Sequence, residues 1–392
     1  MSVVPNLGFA RRTKDTMAKY PLHDEFITKQ RRISLGDRAL IAIAAHIEVR
    51  SVLRASSELE AHGLDDILIG SYARKVAIWP GKDVDVFGRM TTETVQSISP
   101  DAAYEMFGRA LQPFEAEGRL RRQPRSFKVE FSPQRTPAAR FIQSAARDYA
   151  WASTRVDRVL AHLERLAFMF SVDVVPAVAW DSHYGILELD DVSATGERFR
   201  TGHWCRTDPV QLTDETWIRN REPRIASAGA FVRTVKAIRQ IKAHYLANSK
   251  PSSLYFELVL HEGFTNGSID GDSWADINAS ALSYVATRLT TVGNSAICDP
   301  ILGEPYRPIP SASDVAAART VFEEQARRAR RAVTADSRCQ AGIEWRQVFG
   351  GNEQHDTVFP LPTGCRGTGV AMGAAATNLA TGGSQERSFG SC

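Results

Sequence analysis

Two acids at alternate positions of an apolar strand constrain this chain more than any other feature. Residues 70–87 read Gly-Ser-Tyr-Ala-Arg-Lys-Val-Ala-Ile-Trp-Pro-Gly-Lys-Asp-Val-Asp-Val-Phe. A Gly-Ser turn follows the apolar run Ile67, Leu68, Ile69, and a loop with Pro80 and Gly81 leads into a strand carrying Asp83 and Asp85. Side chains alternate between the faces of a strand, so both carboxylates point the same way. Like charges on one apolar face repel, and the simplest neutralising partner is a pair of hard divalent cations with oxygen ligands. The Ser71 hydroxyl and the backbone N–H groups at Gly70 and Ser71 can cradle a polyphosphate beside them.

A third acid lies far along the chain in Phe-Met-Phe-Ser-Val-Asp-Val-Val-Pro, residues 168–176. A lone carboxylate in a β-branched apolar run is costly unless it is paired or bound to metal. Asp173 therefore reads as a third ligand of the same site.

Gly-Ser, an acid-x-acid strand and a single Asp on a later strand, in that order, resemble the polymerase-beta-like nucleotidyltransferases. The wording Asp-Val-Asp-Val-Phe (83–87) and Val-Asp-Val-Val-Pro-Ala (172–177) is similar to that of the cGAS/DncV-like nucleotidyltransferases, or CD-NTases, bacterial relatives of animal cyclic GMP-AMP synthase and oligoadenylate synthase. The resemblance implies a bilobed α+β fold with a mixed β-sheet catalytic lobe and a helical lobe. The expected division is an N-terminal segment 1–39, a catalytic lobe 40–220 with a long entry helix, a helical lobe 221–362 and a flexible tail 363–392.

The resemblance also implies the chemistry. Asp83, Asp85 and Asp173 hold two Mg2+ (or Mn2+) ions, and Gly70 and Ser71 bind nucleotide phosphate. On the segment Phe-Val-Arg-Thr-Val-Lys (231–236), Val232 and Val235 make a buried face while Arg233 and Lys236 share another. The family's basic-x-x-Lys helix and its following Ser-bearing helix match here at Lys236 and Ser253, with Arg233 and Ser252 beside them, as triphosphate contacts. Leu254 stands where animal synthases often place a base-stacking Tyr, so the stacking partner is unassigned. The implied activity joins NTPs, at least one a purine nucleotide, into a cyclic di- or trinucleotide for CBASS-type antiphage signalling through a downstream effector. Two alternatives stay open: a nucleotidyltransferase making linear oligonucleotides or modifying RNA or protein, and a nucleotide-binding regulator without catalysis.

Composition sets the remaining bounds. At 392 residues and 43% hydrophobic content the chain can bury two ordinary lobes. A net charge of +3 is too small to announce a nucleic-acid coat, and nucleic acid is not expected as a partner. With no secretory leader pattern and no long apolar run, a cytoplasmic protein without membrane contact is expected. Five scattered cysteines without a C-x-x-C pair support neither a disulfide framework nor a zinc site, and His203 with Cys205 lacks two further ligands.

Along the chain, apolar residues at three- and four-residue steps predict one long helix over 34–61. Tyr104, Phe107 and Leu111 mark another helix, and Phe127, Val129 and Phe131 a strand. The stretch 133–165, with helical spacing at Val156, Leu160, Leu163 and Leu166, reads as an insertion of unknown role. After Pro176 periodicity is lost through Trp204, Thr207, Pro209 and Trp217, which predicts long functional loops. Asp314 to Val333 reads as a helix capped by Ser313, its Arg-rich run a solvated face. The Gly-, Ala- and Thr-rich end should be disordered. Its Arg-Ser-Phe-Gly (387–390) resembles tails that a ubiquitin-transfer-like partner conjugates in some family members.

Overall fold

The computed structural model describes residues 17–81, 83–148, 153–161, 170–190, 199–222, 229–247, 249, 251–291 and 296–365. It divides into two compact units, one of Ser34–Trp217 and one in which the N-terminal helix joins the chain from Ile218 onward. In chain order the elements are α1 (His23–Ile33), α2 (Arg38–Arg54), α3 (Ser57–Ala61), β1 (Leu64–Ile69), α4 (Gly70–Ala73), β2 (Asp83–Thr94), α5 (Pro100–Ala110), α6 (Gln112–Ala116), β3 (Leu120–Arg122), β4 (Phe127–Phe131), α7 (Ala139–Asp148) and α8 (Val156–Ala161). They continue with β5 (Phe170–Trp180), β6 (His183–Leu189), β7 (Arg200–Thr207), α9 (Pro209–Arg221), α10 (Ala230–Tyr245), α11 (Ser253–Thr265), α12 (Trp274–Thr291), α13 (Ala312–Thr334) and α14 (Arg338–Phe349).

The first unit is built on a seven-stranded mixed sheet of order β1-β2-β5-β4-β3, with β6 on β5 and β7 on β6. β2 and β5 run parallel, whereas β1 on β2 and β4 on β5 are antiparallel. Alternation gives the sheet two chemically distinct faces. Val84, Val86, Val172, Val174, Phe127, Val129 and Phe131 pack with Ala45, Val49 and Leu53 of α2 and with Phe107 of α5 into the main core. On the other face Ile69, Phe87, Val175, Ala177 and Ile186 form a smaller cluster, and it is this face that carries the acids.

Several expectations need correction. The long entry helix is two: α2 ends at Arg54, and Ser56, whose side chain accepts from the Leu59 N–H, starts α3. A side chain that competes for backbone N–H groups favours such a restart over helix continuation. The region after Pro176 is not loop but the rest of β5, the β6–β7 hairpin and α9. β7 is exposed or half-buried throughout, so it shows no inside-outside alternation in sequence. The helix over 314–333 is capped by Ser311, not Ser313. Its Arg-rich run is largely exposed, as expected of a solvated face, with Arg327 and Arg328 donating to Glu324 and Arg331 to Glu344. Leu163, Leu166 and the tail beyond Cys365 lie outside the described residues.

The stretch 133–165 contributes α7 and α8, whose Ile142, Ala145, Ala146 and Val159 cover Leu40, Ile41, Ile43 and Ala44 on a second face of α2. The second unit is helical, with α1 packed into it: Phe26 meets the ring of Trp345 at 5.1 Å and that of Phe359 at 5.1 Å. A disulfide joins Cys339 of α14 to Cys365, a pair that the scattered cysteine spacing does not support. A separation of 26 residues with no local motif gave the sequence no sign of this pair. No helix among the described residues is long and apolar enough to cross a membrane.

Candidate active site

The register of three strands builds the site. Asp83 pairs with Ser171 and Asp85 with Asp173 across β2–β5, and Ser171 pairs with Glu130 and Asp173 with Lys128 across β5–β4. Directly paired residues share a face, so the floor is two rows, Asp83–Ser171–Glu130 and Asp85–Asp173–Lys128. Neighbouring strands lie about 4.8 Å apart, which brings the three aspartates read from sequence into one patch. Asp85 is 6% exposed and Asp173 2%, while Asp83 is half-buried at the mouth.

Gly70 closes the patch on the β1 side. Its φ is +70°, a conformation that side-chain-bearing residues resist, and a Cβ there would overlap Oδ2 of Asp85. The turn is thus laid directly against the acid. The Ser71 carbonyl accepts from the N–H groups of Val76 (2.9 Å) and Ala77 (3.1 Å), fixing the turn, while its half-buried hydroxyl has no partner among the described residues. Tyr72 anchors the other side of the turn by donating to the Ala39 carbonyl of α2, 3.1 Å away. Arg74 and Trp79 are buried; Trp79 lies under the Arg38 guanidinium at 5.1 Å and is a packing residue.

The electrostatics are those of a buried acid only partly compensated. Burial first, and then the Asp83 carboxylate, push the Asp173 carboxyl up to about 8; Lys128 opposes the rise and Glu130 adds to it. Oδ1 of Asp173 is buried and makes no hydrogen bond among the described residues. As placed, the acids are not a finished cage, since no three His, Cys, Asp or Glu side chains among the described residues are gathered to enclose an ion. The donor set nevertheless suits a hard divalent cation: carboxylate oxygens on one face, one of them buried and unbonded.

The triphosphate contacts expected from sequence lie in the second unit. Arg233, Lys236 and Arg239 form the half-buried stripe of α10 at three-residue spacing. The Arg233 guanidinium stacks 4.8 Å from the Trp274 ring. Lys29 of α1 joins this cationic group: burial, then Arg233 and Lys236, bring its ammonium down to about 7, and it sits 4.5 Å from the Phe349 ring. Ser252 is the N-cap of α11, accepting from the Tyr255 N–H at 3.2 Å and bonding the Tyr306 hydroxyl at 2.7 Å. Ser253 begins the helix, and its hydroxyl has no partner among the described residues. Tyr255 is buried, so it offers no face to a base.

Sequence reasoning missed Lys128, Glu130, Lys29 and Arg239. For the first two a signal existed: Phe127, Val129 and Phe131 bury one face of β4, which places Lys128 and Glu130 on the other. Knowing that β4 adjoins β5 required the sheet order.

No family model matches the sequence, and no curated protein does. Solved structures do. The chain is similar to Escherichia coli MS115-1 CdnC with ATP at 15% identity, TM-score 0.56, over 86% of this chain and 98% of that one. It is similar to the Bradyrhizobium diazoefficiens CD-NTase CdnG in complex with GTP at 13% identity, TM-score 0.57, over 84% and 95%. The GTP-bound form of Vibrio cholerae DncV aligns at 12% identity, TM-score 0.50, over 83% and 79%. These likenesses establish the CD-NTase fold, an α+β architecture.

Proposed function

We propose that the chain is a metal-dependent nucleotidyltransferase that joins NTPs, at least one of them a purine nucleotide, into a cyclic di- or trinucleotide second messenger. The observation that carries this is the convergence of Asp83, Asp85 and Asp173 on one sheet face, with the Asp173 Oδ1 buried and unbonded, directly beside the Gly70–Ser71 turn. A site built only to bind nucleotide has no use for three same-face carboxylates. The fold shared with CD-NTases supports the same reading, and fold without such a site would leave function open.

In the proposed reaction the acceptor hydroxyl oxygen bonds to the donor α-phosphorus. The bond from that phosphorus to the β-phosphate oxygen breaks, pyrophosphate leaves, and the hydroxyl proton passes to Asp173 or to water. Asp83, Asp85 and Asp173 would hold two Mg2+ or Mn2+ ions, which would supply hydroxyl activation and neutralisation of phosphate charge. The chain's own work is positioning. Gly70 and Ser71 offer backbone N–H groups and the Ser71 hydroxyl to the donor phosphates. The resemblance assigns Lys236, Ser253 and Arg233 to the triphosphate as well; Ser252, already spent as a cap, is left out. Catalysis then rests on orientation and charge stabilisation. The messenger would serve a CBASS-type antiphage pathway through a cyclic-nucleotide effector.

The test is incubation with all four NTPs and Mg2+ or Mn2+, phosphatase treatment and mass spectrometry, beside Asp83→Asn and Asp85→Asn. A phosphatase-resistant cyclic product lost in both variants is expected. Linear products alone would replace the cyclic reading with an oligonucleotide-forming one.

A further inference from the structure

Beyond the three aspartates the sheet carries an order in space. From β1 to β4 the same face presents the Gly70–Ser71 turn, Asp83 and Asp85, Asp173, and then Lys128 with Glu130. If donor phosphates lie against the Gly70–Ser71 turn, the leaving pyrophosphate departs on the β1 side. In-line displacement then requires the attacking hydroxyl on the opposite side of the reacting phosphorus, toward β5 and β4. The acceptor nucleotide therefore lies over Asp173 and extends toward β4.

Lys128 waits there. It is half-buried, sits directly opposite Asp173 in the register and is felt electrostatically by that carboxyl. It nonetheless makes no hydrogen bond and no ion pair among the described residues. A half-buried lysine that pairs with neither Asp173 nor Glu130, nor with any other described residue, keeps all three ammonium donors for a ligand. The acceptor brings a fitting one: its 5′-phosphate is separated from its reacting hydroxyl by a single ribose, while Lys128 is one strand beyond Asp173. Glu130 lies two residues along β4 on the same face, level with Ser171 and Asp83.

We propose that Lys128 binds the 5′-phosphate of the acceptor nucleotide and so defines an acceptor subsite on β4. This rests on the reading of the site as a nucleotidyl-transfer centre, and the test separates the two. The full chain, as wild type, Lys128→Met and Lys128→Arg, is titrated in Mg2+ with the four nucleoside 5′-monophosphates and the four nucleosides. Pyrophosphate release from the four NTPs is followed in parallel. Wild type should bind at least one monophosphate about tenfold more tightly than its nucleoside, as expected for a charge-assisted contact. Lys128→Met should reduce that preference to within about threefold, and Lys128→Arg should restore most of it.

In turnover, Lys128→Met should raise KM with kcat changed less, because the contact serves binding rather than the reacting atoms. A monophosphate preference that survives intact in Lys128→Met overturns the subsite, whether or not the enzyme turns over. A wild type that releases no pyrophosphate but loses its phosphate preference with Lys128 removes the transfer reading and leaves the phosphate contact standing. Equal weakening of nucleosides and monophosphates by Lys128→Met would mean that the lysine only shapes the site, and would also overturn the proposal.

Discussion

Replacing Asp173 by Asn should make the metal-free protein more stable at high pH while abolishing the proposed nucleotidyl transfer. Asp173 is 2% exposed, and its carboxyl is moved from an ordinary value of 3.8 to about 8, chiefly by burial and next by Asp83. A rise of about 4 units at about 1.36 kcal/mol each gives a ceiling of roughly 6 kcal/mol. The sign follows from proton counting. Between about pH 4 and pH 8 the folded protein holds a proton on Asp173 that the unfolded chain releases, so stability is fully present below the unfolded value and is lost as pH rises through the folded one. Asn cannot ionise and loses nothing over that range. Its amide still needs a partner in the same buried place, which lowers the expected gain at pH 9 to roughly 2–4 kcal/mol. The assay is urea unfolding in EDTA at pH 5 and pH 9, followed by far-UV circular dichroism, on wild type and Asp173→Asn. The difference between the two proteins should grow in favour of the variant from the lower to the higher pH. An unchanged difference would show that the carboxyl is not held in a desolvated, only partly compensated place, and the argument for a cation there would lose its physical basis.

Other perturbations separate site from scaffold. Gly70→Ala should lower stability by roughly 2–4 kcal/mol, read from chemical denaturation, because it adds left-handed strain and an overlap with Asp85. For Ser252→Ala the expected loss is about 1 kcal/mol from the missing cap, with NTP affinity retained. Ser253→Ala should show the reverse pattern in the same two measurements, and parallel losses in both would reassign Ser252 to the ligand. Lys29→Met addresses a lysine whose folded value is depressed to about 7. The unfolded chain then binds more protons from about pH 7 to 10, so wild-type stability rises with pH across that window and the advantage of Lys29→Met should shrink as pH rises.

How much of this was legible without coordinates depended on whether a signal was local. Asp83 and Asp85 share a strand, and period two alone puts them on one face. Asp173 announced itself by being an acid among β-branched residues. Lys128 and Glu130 stood in a strand that was recognised, but their meaning came from a parallel β2–β5 pair with β4 as the next neighbour, a long-range fact. Gly70 was legible as a turn, whereas the reason nothing larger fits is a side chain fifteen positions away. The hairpin after Pro176 reads as loop in sequence because its second strand is half solvated and lacks the contrast on which periodicity depends.

The insertion shows how an uninformative stretch becomes part of the site's support. From sequence, α2 looked like a helix with one apolar face and charges opposite. In the fold it is apolar on two: Ala42, Ala45, Val49 and Leu53 meet the sheet core, while Leu40, Ile41, Ile43 and Ala44 meet α7 and α8. Glu48 locks the arrangement, accepting from Arg119 at 2.9 Å and from the Ala138 N–H at 3.1 Å, just before α7 begins. The same helix receives the Tyr72 hydroxyl at the Ala39 carbonyl, and Tyr72 follows Ser71. A loosened α7 should therefore reach the phosphate turn through α2. Ile142 is fully buried, and Ile142→Ala should cost roughly 2–4 kcal/mol through lost burial and a residual cavity. Hydrogen exchange should then rise along α2 and around residues 70–77 and remain unchanged in α11 and α12. Destabilisation confined to α7 and α8, with α2 as protected as before, would mean that the insertion is an appendage and that α2 is held by the sheet alone.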